Sequence, residues 1–101
     1  NEMDVAFRQL VPGFRIDDFV RIFNPPAPNH IKIDVDSVEL QILEGGRELL
    51  ANETVKSVLI EVMKGPESSD FEAISRRLES AGFRPTSSDR HPGSDNVIFT
   101  R

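Results

Sequence analysis

The chain has 101 residues, enough for one domain with a hydrophobic core but few beside a complete nucleotide-binding fold. Its net charge of -5 argues against a nucleic-acid partner, because phosphate binding needs a basic face. The absence of cysteine excludes disulfides and thiolate chemistry and fits a cytoplasmic protein. The sequence shows no signal peptide at Asn1 and no apolar run of roughly 18 residues that could span a membrane.

The first third of the chain predicts a strand, a short helix and a break. Residues 5–11 are a candidate strand that a Pro-Gly turn closes at residues 12–13. Asp17 is expected to cap a helix over residues 18–23, because its carboxylate can accept hydrogen bonds from the exposed amides of a first turn. Residues 24–29 contain three prolines, which exclude helix because proline lacks the amide hydrogen and restrains the residue before it.

The middle of the chain predicts a strand, a helix and a second strand. Residues 31–35 are rich in β-branched side chains, as strands are. Residues 38–50 follow with helical spacing of apolar side chains, and Asn52 suits the end of that helix. Glycine inside a helix costs stability, so the pair Gly45-Gly46 is expected to pack closely against the sheet. Residues 55–62 are nearly all apolar in their second half, which predicts a strand covered on both faces.

The last third predicts a helix and two strands. The spacing of residues 69–72 is that of a capping box, and the apolar stripe that follows predicts a helix ended by Gly82. Residues 83–86 start a predicted third strand, residues 87–95 form a predicted polar loop, and residues 96–100 form the last strand. The alternation of strands and helices, closed by an antiparallel strand pair, predicts an α/β domain that spans the whole chain.

The segment IKIDVDSVE, at residues 31–39, is the most informative part of the sequence. It places carboxylates where a strand ends and a helix begins, and ligands of α/β domains collect beyond the carboxyl ends of strands. Asp34, Asp36 and Glu39 are therefore candidate catalytic residues. Glu61 is a fourth candidate, because a carboxylate inside an apolar strand is costly unless it pairs with a cation, emerges at the strand end or lies in the cleft beside Asp34.

Each of these carboxylates also has a structural interpretation. Asp36 can cap the helix, and Glu39 can favour its dipole. Together with Asp34 they have the oxygens for Mg²⁺, but carboxylate clusters are common in helix-opening turns, so no metal is expected. His30 precedes its strand and His91 lies in the polar loop, which favours surface roles for both. The core is expected to contain three aromatic residues, Phe71, Phe83 and Phe99.

The same segment resembles the FkbM family of S-adenosylmethionine-dependent methyltransferases. The family pattern there runs roughly K-I-D-V-E-G-x-E, then an apolar pair and a glycine. The chain reads Lys32 to Glu39 with Leu43 and Gly45 following, and Ser37 stands where the family usually has glycine. Four other segments are similar to family elements in the same order and spacing: Asp17-Asp18, residues 58–62, residues 78–83 and residues 96–101.

The resemblance implies the C-terminal half of a Rossmann-like class I methyltransferase sheet. It implies transfer of a methyl group from S-adenosylmethionine to an oxygen of a small molecule or sugar, with Asp34 orienting or deprotonating the acceptor hydroxyl. No glycines in G-x-G spacing open a strand–loop–helix unit, so this chain alone is not expected to bind S-adenosylmethionine.

Two interpretations of such a half remain open. It is either a truncated enzyme domain or a non-catalytic half-domain that works as an assembly or interaction module. In the complete fold, the cofactor-loop strand lies beside residues 31–35. Without that neighbour, the exposed strand edge predicts a homodimer, with cover by residues 5–11 as the rival outcome.

Overall fold

The computed structural model describes residues 10, 12–35, 38–63 and 71–101. The strand expected at residues 5–11 lies outside the described residues apart from Leu10, as do residues 69 and 70 of the expected capping box. The described helices are α1 (Ile16–Phe23), α2 (Glu39–Gly45), α3 (Arg47–Leu50) and α4 (Phe71–Ser80). The described strands are β1 (His30–Ile33), β2 (Ser57–Met63), β3 (Arg84–Arg90) and β4 (Ser94–Thr100).

The described strands form one mixed sheet with the order β1-β2-β4-β3. β1 and β2 are parallel, so the chain between them must cross over, and it does so through α2 and α3. β4 is antiparallel to both β2 and β3. The predicted α/β class and the antiparallel last pair are therefore confirmed.

The hydrophobic core lies between one face of the sheet and the helices. The strands contribute alternate residues to it: Ile33, Val58, Ile60, Val62, Val97 and Phe99. The helices and their flanking turns contribute Leu43, Leu50, Val55, Ile74, Leu78 and Phe83. Phe71, expected in the core, is 39% exposed at the start of α4. The prediction that β2 is covered on both faces is wrong, because its intervening residues Leu59 and Glu61 are only half-buried.

The helix predicted over residues 38–50 is broken in two. α2 ends at Gly45, and Gly46 separates it from α3 with a non-helical φ of -111°. A Cβ atom on Gly46 would lie 3.1 Å from Cδ1 of Ile16, and one on Gly45 would lie 3.4 Å from Cβ of Arg15. The glycines are needed for close packing, as expected, but against the start of α1 and not against the sheet.

Asp17 does not cap its own helix. α1 begins at Ile16 after Arg15, with no side-chain capping bond. The Asp17 carboxylate instead accepts hydrogen bonds from the backbone N–H groups of Glu48 (2.8 Å) and Leu49 (3.0 Å), in the first turn of α3. The first amides of a helix have no partner within it, so this buried carboxylate satisfies two of them and fastens α1 to α3.

The prediction of a polar loop over residues 87–95 is wrong for residues 87–90 and 94–95, which belong to strands. β3 continues to Arg90, and the N–H of His91 donates to the carbonyl of Ser94 (2.9 Å) to close a tight hairpin into β4. Every residue of β3 is exposed, so the strand carries no apolar alternation, and pairing with β4 alone defines it. Pro85 is accommodated because β3 is at the edge of the sheet, beside a register irregularity.

Arg101 ties together the turns at the amino end of the sheet. Its guanidinium donates to four backbone carbonyl groups, those of Leu50, Asn52, Val55 and Ala81. It also lies 4.1 Å from the ring centroid of Phe83, a cation–π contact. These bonds fix the segment after α3 and the end of α4, where Gly82 adopts a φ of +97° as the predicted helix stop.

Candidate active site

The carboxyl ends of β1, β2 and β3 lie at the same end of the sheet, where β4 begins. We call this end the carboxyl edge. The pairing of β2 with β4 ends at Met63 and Ser94, and the pairing of β3 with β4 ends at Arg90 and Asp95. Such an edge is the usual ligand-binding side of an open α/β sheet. Residues that follow β1 and the last residues of β2 are therefore placed to meet a substrate.

Asp34 is the first residue after β1 at this edge. Its side chain is 56% exposed, and Oδ2 lies 3.9 Å from Nζ of Lys32, whose side chain is 66% exposed. A contact of this length between solvated groups holds the carboxylate only weakly. Asp34 is thus accessible to a ligand from solvent.

A groove of about 480 Å³ runs beside β1 and includes Asp34 and Lys32 in its lining. Its other lining residues are apolar: Ile16, Ile31, Ile33, Val35 and Ile42. Within the described sheet β1 pairs only with β2, so the groove follows the outer edge of the sheet. The site therefore combines an apolar channel with one accessible carboxylate at its end.

Asp34 and Glu61 follow the last residue pair of β1 and β2. The parallel pairing ends at Ile33 and Ile60, and Asp34 and Glu61 are the next residues along the two chains. Ile60 and Val62 face the core, so Glu61 projects from the opposite face, where it is half-buried. Two of the predicted site residues thus lie at the same end of neighbouring strands.

Asn96 extends this pair and was missed by the sequence analysis. It is the antiparallel partner of Glu61, and its partner on the other side is Asp89. Side chains of directly opposite residues share a face, so an amide lies beside the Glu61 carboxylate. The alternation between Asn96 and the buried Val97 was the available signal, but it identifies a face and not a neighbour.

Glu39 and Asp36 are placed differently. Glu39 is 1% exposed in the first turn of α2, and its Oε2 accepts the N–H of Val38 at 3.2 Å. A carboxylate turned back over a helix start favours the dipole, which supports the structural interpretation of Glu39. Asp36 lies outside the described residues.

The two histidines lie at opposite ends of the strands, His30 at the amino end of β1 and His91 just after the carboxyl end of β3. His30 is exposed at the amino end of β1, where Nδ1 lies 2.7 Å from Oγ of Ser57. His91 is exposed in the β3–β4 hairpin, with Nε2 3.2 Å from Oδ2 of Asp89. His30 is thus remote from the candidate site, and His91 lies on the far side of the sheet from β1.

A family model described as the methyltransferase FkbM domain matches residues 2–85. The chain belongs to the FkbM methyltransferase family. The family predicted from the IKIDVDSVE segment is thereby confirmed, and the matched range contains β1, β2 and all of the described helices. Comparisons with curated proteins and with solved structures found no match.

The FkbM family implies S-adenosylmethionine as the methyl donor of the full-length protein. The described glycines do not form a glycine-rich turn for it. Gly13 is exposed before α1, Gly45 and Gly46 pack against α1, Gly82 ends α4 and Gly93 lies in the β3–β4 hairpin. None of these glycines lies where a described strand turns into a helix, which is where amides bind such cofactors.

Among the residues that the structure describes, no group of three or more His, Cys, Asp or Glu side chains is placed to hold a metal ion. Over the same residues, no helix combines the length and the apolar character that crossing a membrane requires.

Proposed function

We propose that this chain is the acceptor-binding half of a Rossmann-like methyltransferase domain. In its intact form the domain transfers a methyl group from S-adenosylmethionine to an oxygen of a small molecule or sugar. The family membership supports the reaction type. The observation that carries the assignment of the site is the exposed Asp34, which directly follows β1 and lines an apolar groove.

In this proposal the chain acts on the acceptor. Asp34 accepts a hydrogen bond from the reacting hydroxyl group, orients its oxygen and takes up its proton. Glu61, the residue after Ile60 in β2, provides a second acceptor, and Asn96, its strand partner on β4, lies on the same face of the sheet. Asp36 stays a candidate from its place in the sequence, two residues after Asp34, whereas Glu39 fixes the start of α2 through its bond to the Val38 amide.

The 101-residue chain alone is expected not to bind S-adenosylmethionine, because the glycine-rich turn that supplies backbone amides to such a cofactor is not among its motifs. Isothermal titration calorimetry should detect no binding, with a complete FkbM methyltransferase domain as the positive control. A micromolar dissociation constant for this chain would show that the cradle is built from other residues.

A second candidate function is an assembly module that pairs through β1. The observation that favours it is the position of β1 at the edge of the described sheet, beside a groove lined by five apolar side chains. An unpaired edge presents a row of N–H and C=O groups that can join a second chain. The two-fold product would be a homodimer.

Sedimentation should therefore show a dimer, and Ile31→Lys should convert it to a monomer, because lysine at a strand edge opposes pairing. Ile22→Lys, on the exposed face of α1, is the matched control and should leave the dimer intact. A wild-type monomer at high concentration counts against the dimer. In that case slow hydrogen exchange at Ile31 and Ile33 would favour cover by residues 5–11, and fast exchange would exclude both.

A further inference from the structure

A second and larger cavity lies over β3 and β4, beside the start of α4. Its volume is about 520 Å³, within the range of pockets that bind small molecules. The apolar part of its lining is formed by Val62, Phe71, Pro85 and Val97. The polar part is formed by Thr86, Ser87, Ser88, Arg90 and Asp95. We call it the β3 pocket.

The β3 pocket includes residues near the carboxyl ends of β2 and β3, but it lies on the core face of the sheet, opposite to the face from which Glu61 projects. Asp95 is the strand partner of both Val62 and Arg90, and all three lie in the last two residue pairs before the carboxyl edge. All of its polar lining residues lie beyond residue 85, where the family match ends. The family match therefore does not cover the polar part of the pocket.

The charges in the β3 pocket balance. Arg90 and Asp95 are directly opposite each other on antiparallel strands, so their side chains share one face. Arg90 and Asp95 are the charged residues among the described lining residues, and their formal charges add to zero. A lining with adjacent charges of opposite sign favours a neutral, hydrogen-bonding ligand over an anion or a cation.

The apolar floor of the β3 pocket suits a flat ring. Phe71 is 39% exposed, and its ring centroid lies 6.2 Å from that of the buried Phe99, which holds it in place. The face of an aromatic ring is electron-rich and attracts the weakly positive C–H groups of a sugar ring. The hydroxyl groups of Thr86 and Ser88 and the charged pair then match the hydroxyl groups around the edge of such a ring.

We propose that the β3 pocket binds a neutral sugar ring of the methyl acceptor. This inference rests on the proposed methyltransferase function and specifies its acceptor. β3 is three strand spacings from β1, which is roughly 14 Å. A ring held by the wall on β3 cannot also present a hydroxyl to Asp34. The bound ring is therefore a recognition unit, and the methylated oxygen belongs to an adjoining unit of a larger acceptor.

NMR titration of the isotope-labelled chain tests this proposal without the cofactor. The probes are methyl glucoside, methyl galactoside and methyl mannoside, with glucuronic acid and glucosamine as charged analogues. At least one neutral glycoside is expected to shift the amide signals of Phe71, Ser88 and Val97. The charged analogues should bind several-fold more weakly. No shift from any neutral probe at millimolar concentration, shifts confined to other surfaces, or tighter binding of a charged analogue would overturn the proposal.

Two variants locate the binding. Phe71→Ala should weaken it about tenfold, whereas Phe14→Ala, at another exposed aromatic ring, should not change it. Ser88→Val, on the exposed strand β3, removes a pocket hydroxyl without disturbing the core and should also weaken binding. Unchanged binding in both pocket variants would overturn the proposal.

Activity of an intact domain separates this proposal from the proposed function. Methylation of an acceptor that lacks any sugar would support the proposed function but overturn the β3 pocket assignment. Sugar binding without methyl transfer would support the β3 pocket assignment but count against the proposed function.

Discussion

Replacing Asp34 by asparagine is expected to lower turnover by about 10²–10⁴-fold in an intact FkbM methyltransferase that carries this half, the usual contribution of a general acid–base group. Asparagine keeps the size and one acceptor oxygen but cannot take up the acceptor's proton. The side chain is 56% exposed and its ion pair with Lys32 is long, so the folded state should lose little stability. Steady-state kinetics and thermal unfolding on the same preparations measure the two effects.

Lys32→Gln is the matched control for this experiment. It removes the 3.9 Å contact with Asp34 but leaves the carboxylate, so turnover should stay close to that of the parent. If Asp34→Asn is as active as the parent, Asp34 has a structural role at the end of β1. If both variants lose turnover equally, the Lys32–Asp34 pair acts as a unit and the carboxylate is not the base.

The elements predicted correctly are those whose signal is local. β1, β2, β4 and α4 each bury a stripe of apolar side chains against the core, and that stripe has the period of the element itself. Gly82 was readable as a helix stop because its positive φ is a property of one residue. Only the start of β3 was predicted, since its Ser-Ser-Asp-Arg segment is exposed and only pairing with β4 makes that part a strand.

The errors in the middle of the chain have one cause, which is contact between distant segments. The partners of Asp17 lie 31 and 32 residues away, at Glu48 and Leu49. The break in the long helix occurs at Gly46, where Ile16 approaches too closely for a side chain. A single sequence shows a capping residue and a glycine at these positions but not which segment each one meets.

The candidate site follows the same division. Asp34 was identified from its place after a strand, which the sequence shows directly. Its place near Glu61 depends on the pairing of Ile33 with Ile60. Asn96 lies opposite Glu61 only because β2 pairs with β4, and the two residues are 35 positions apart in the sequence. The burial of Glu39 required the packed start of α2. Identity of the chemical groups was predictable, but their neighbours were not.

Replacing Asp17 by alanine is expected to lower the free energy of unfolding by about 2–3 kcal/mol, a large part of the roughly 5–15 kcal/mol typical of a domain. Asp17 is 9% exposed, and its carboxylate accepts both the Glu48 and the Leu49 amides. Without it, two amides at the start of α3 lose their partner, and α1 loses two of its hydrogen bonds to α3. Urea unfolding followed by circular dichroism measures the difference.

Asp18→Ala is the matched control, because the two residues are adjacent on the same helix. Asp18 is an exposed partner of Arg21, and its hydrogen bond raises the pKa of that guanidinium above the ordinary value. Arg21 is charged at any working pH, its side chain is exposed and it keeps its ion pair with Glu48, so the control should change stability too little to resolve. Equal losses in both variants would mean that the Asp17 bonds are no stronger than a surface pair. At temperatures below its unfolding transition, an intact domain with Asp17→Ala should still methylate its acceptor. That result would separate the structural role of the Asp17 hydrogen bonds from the chemistry assigned to Asp34.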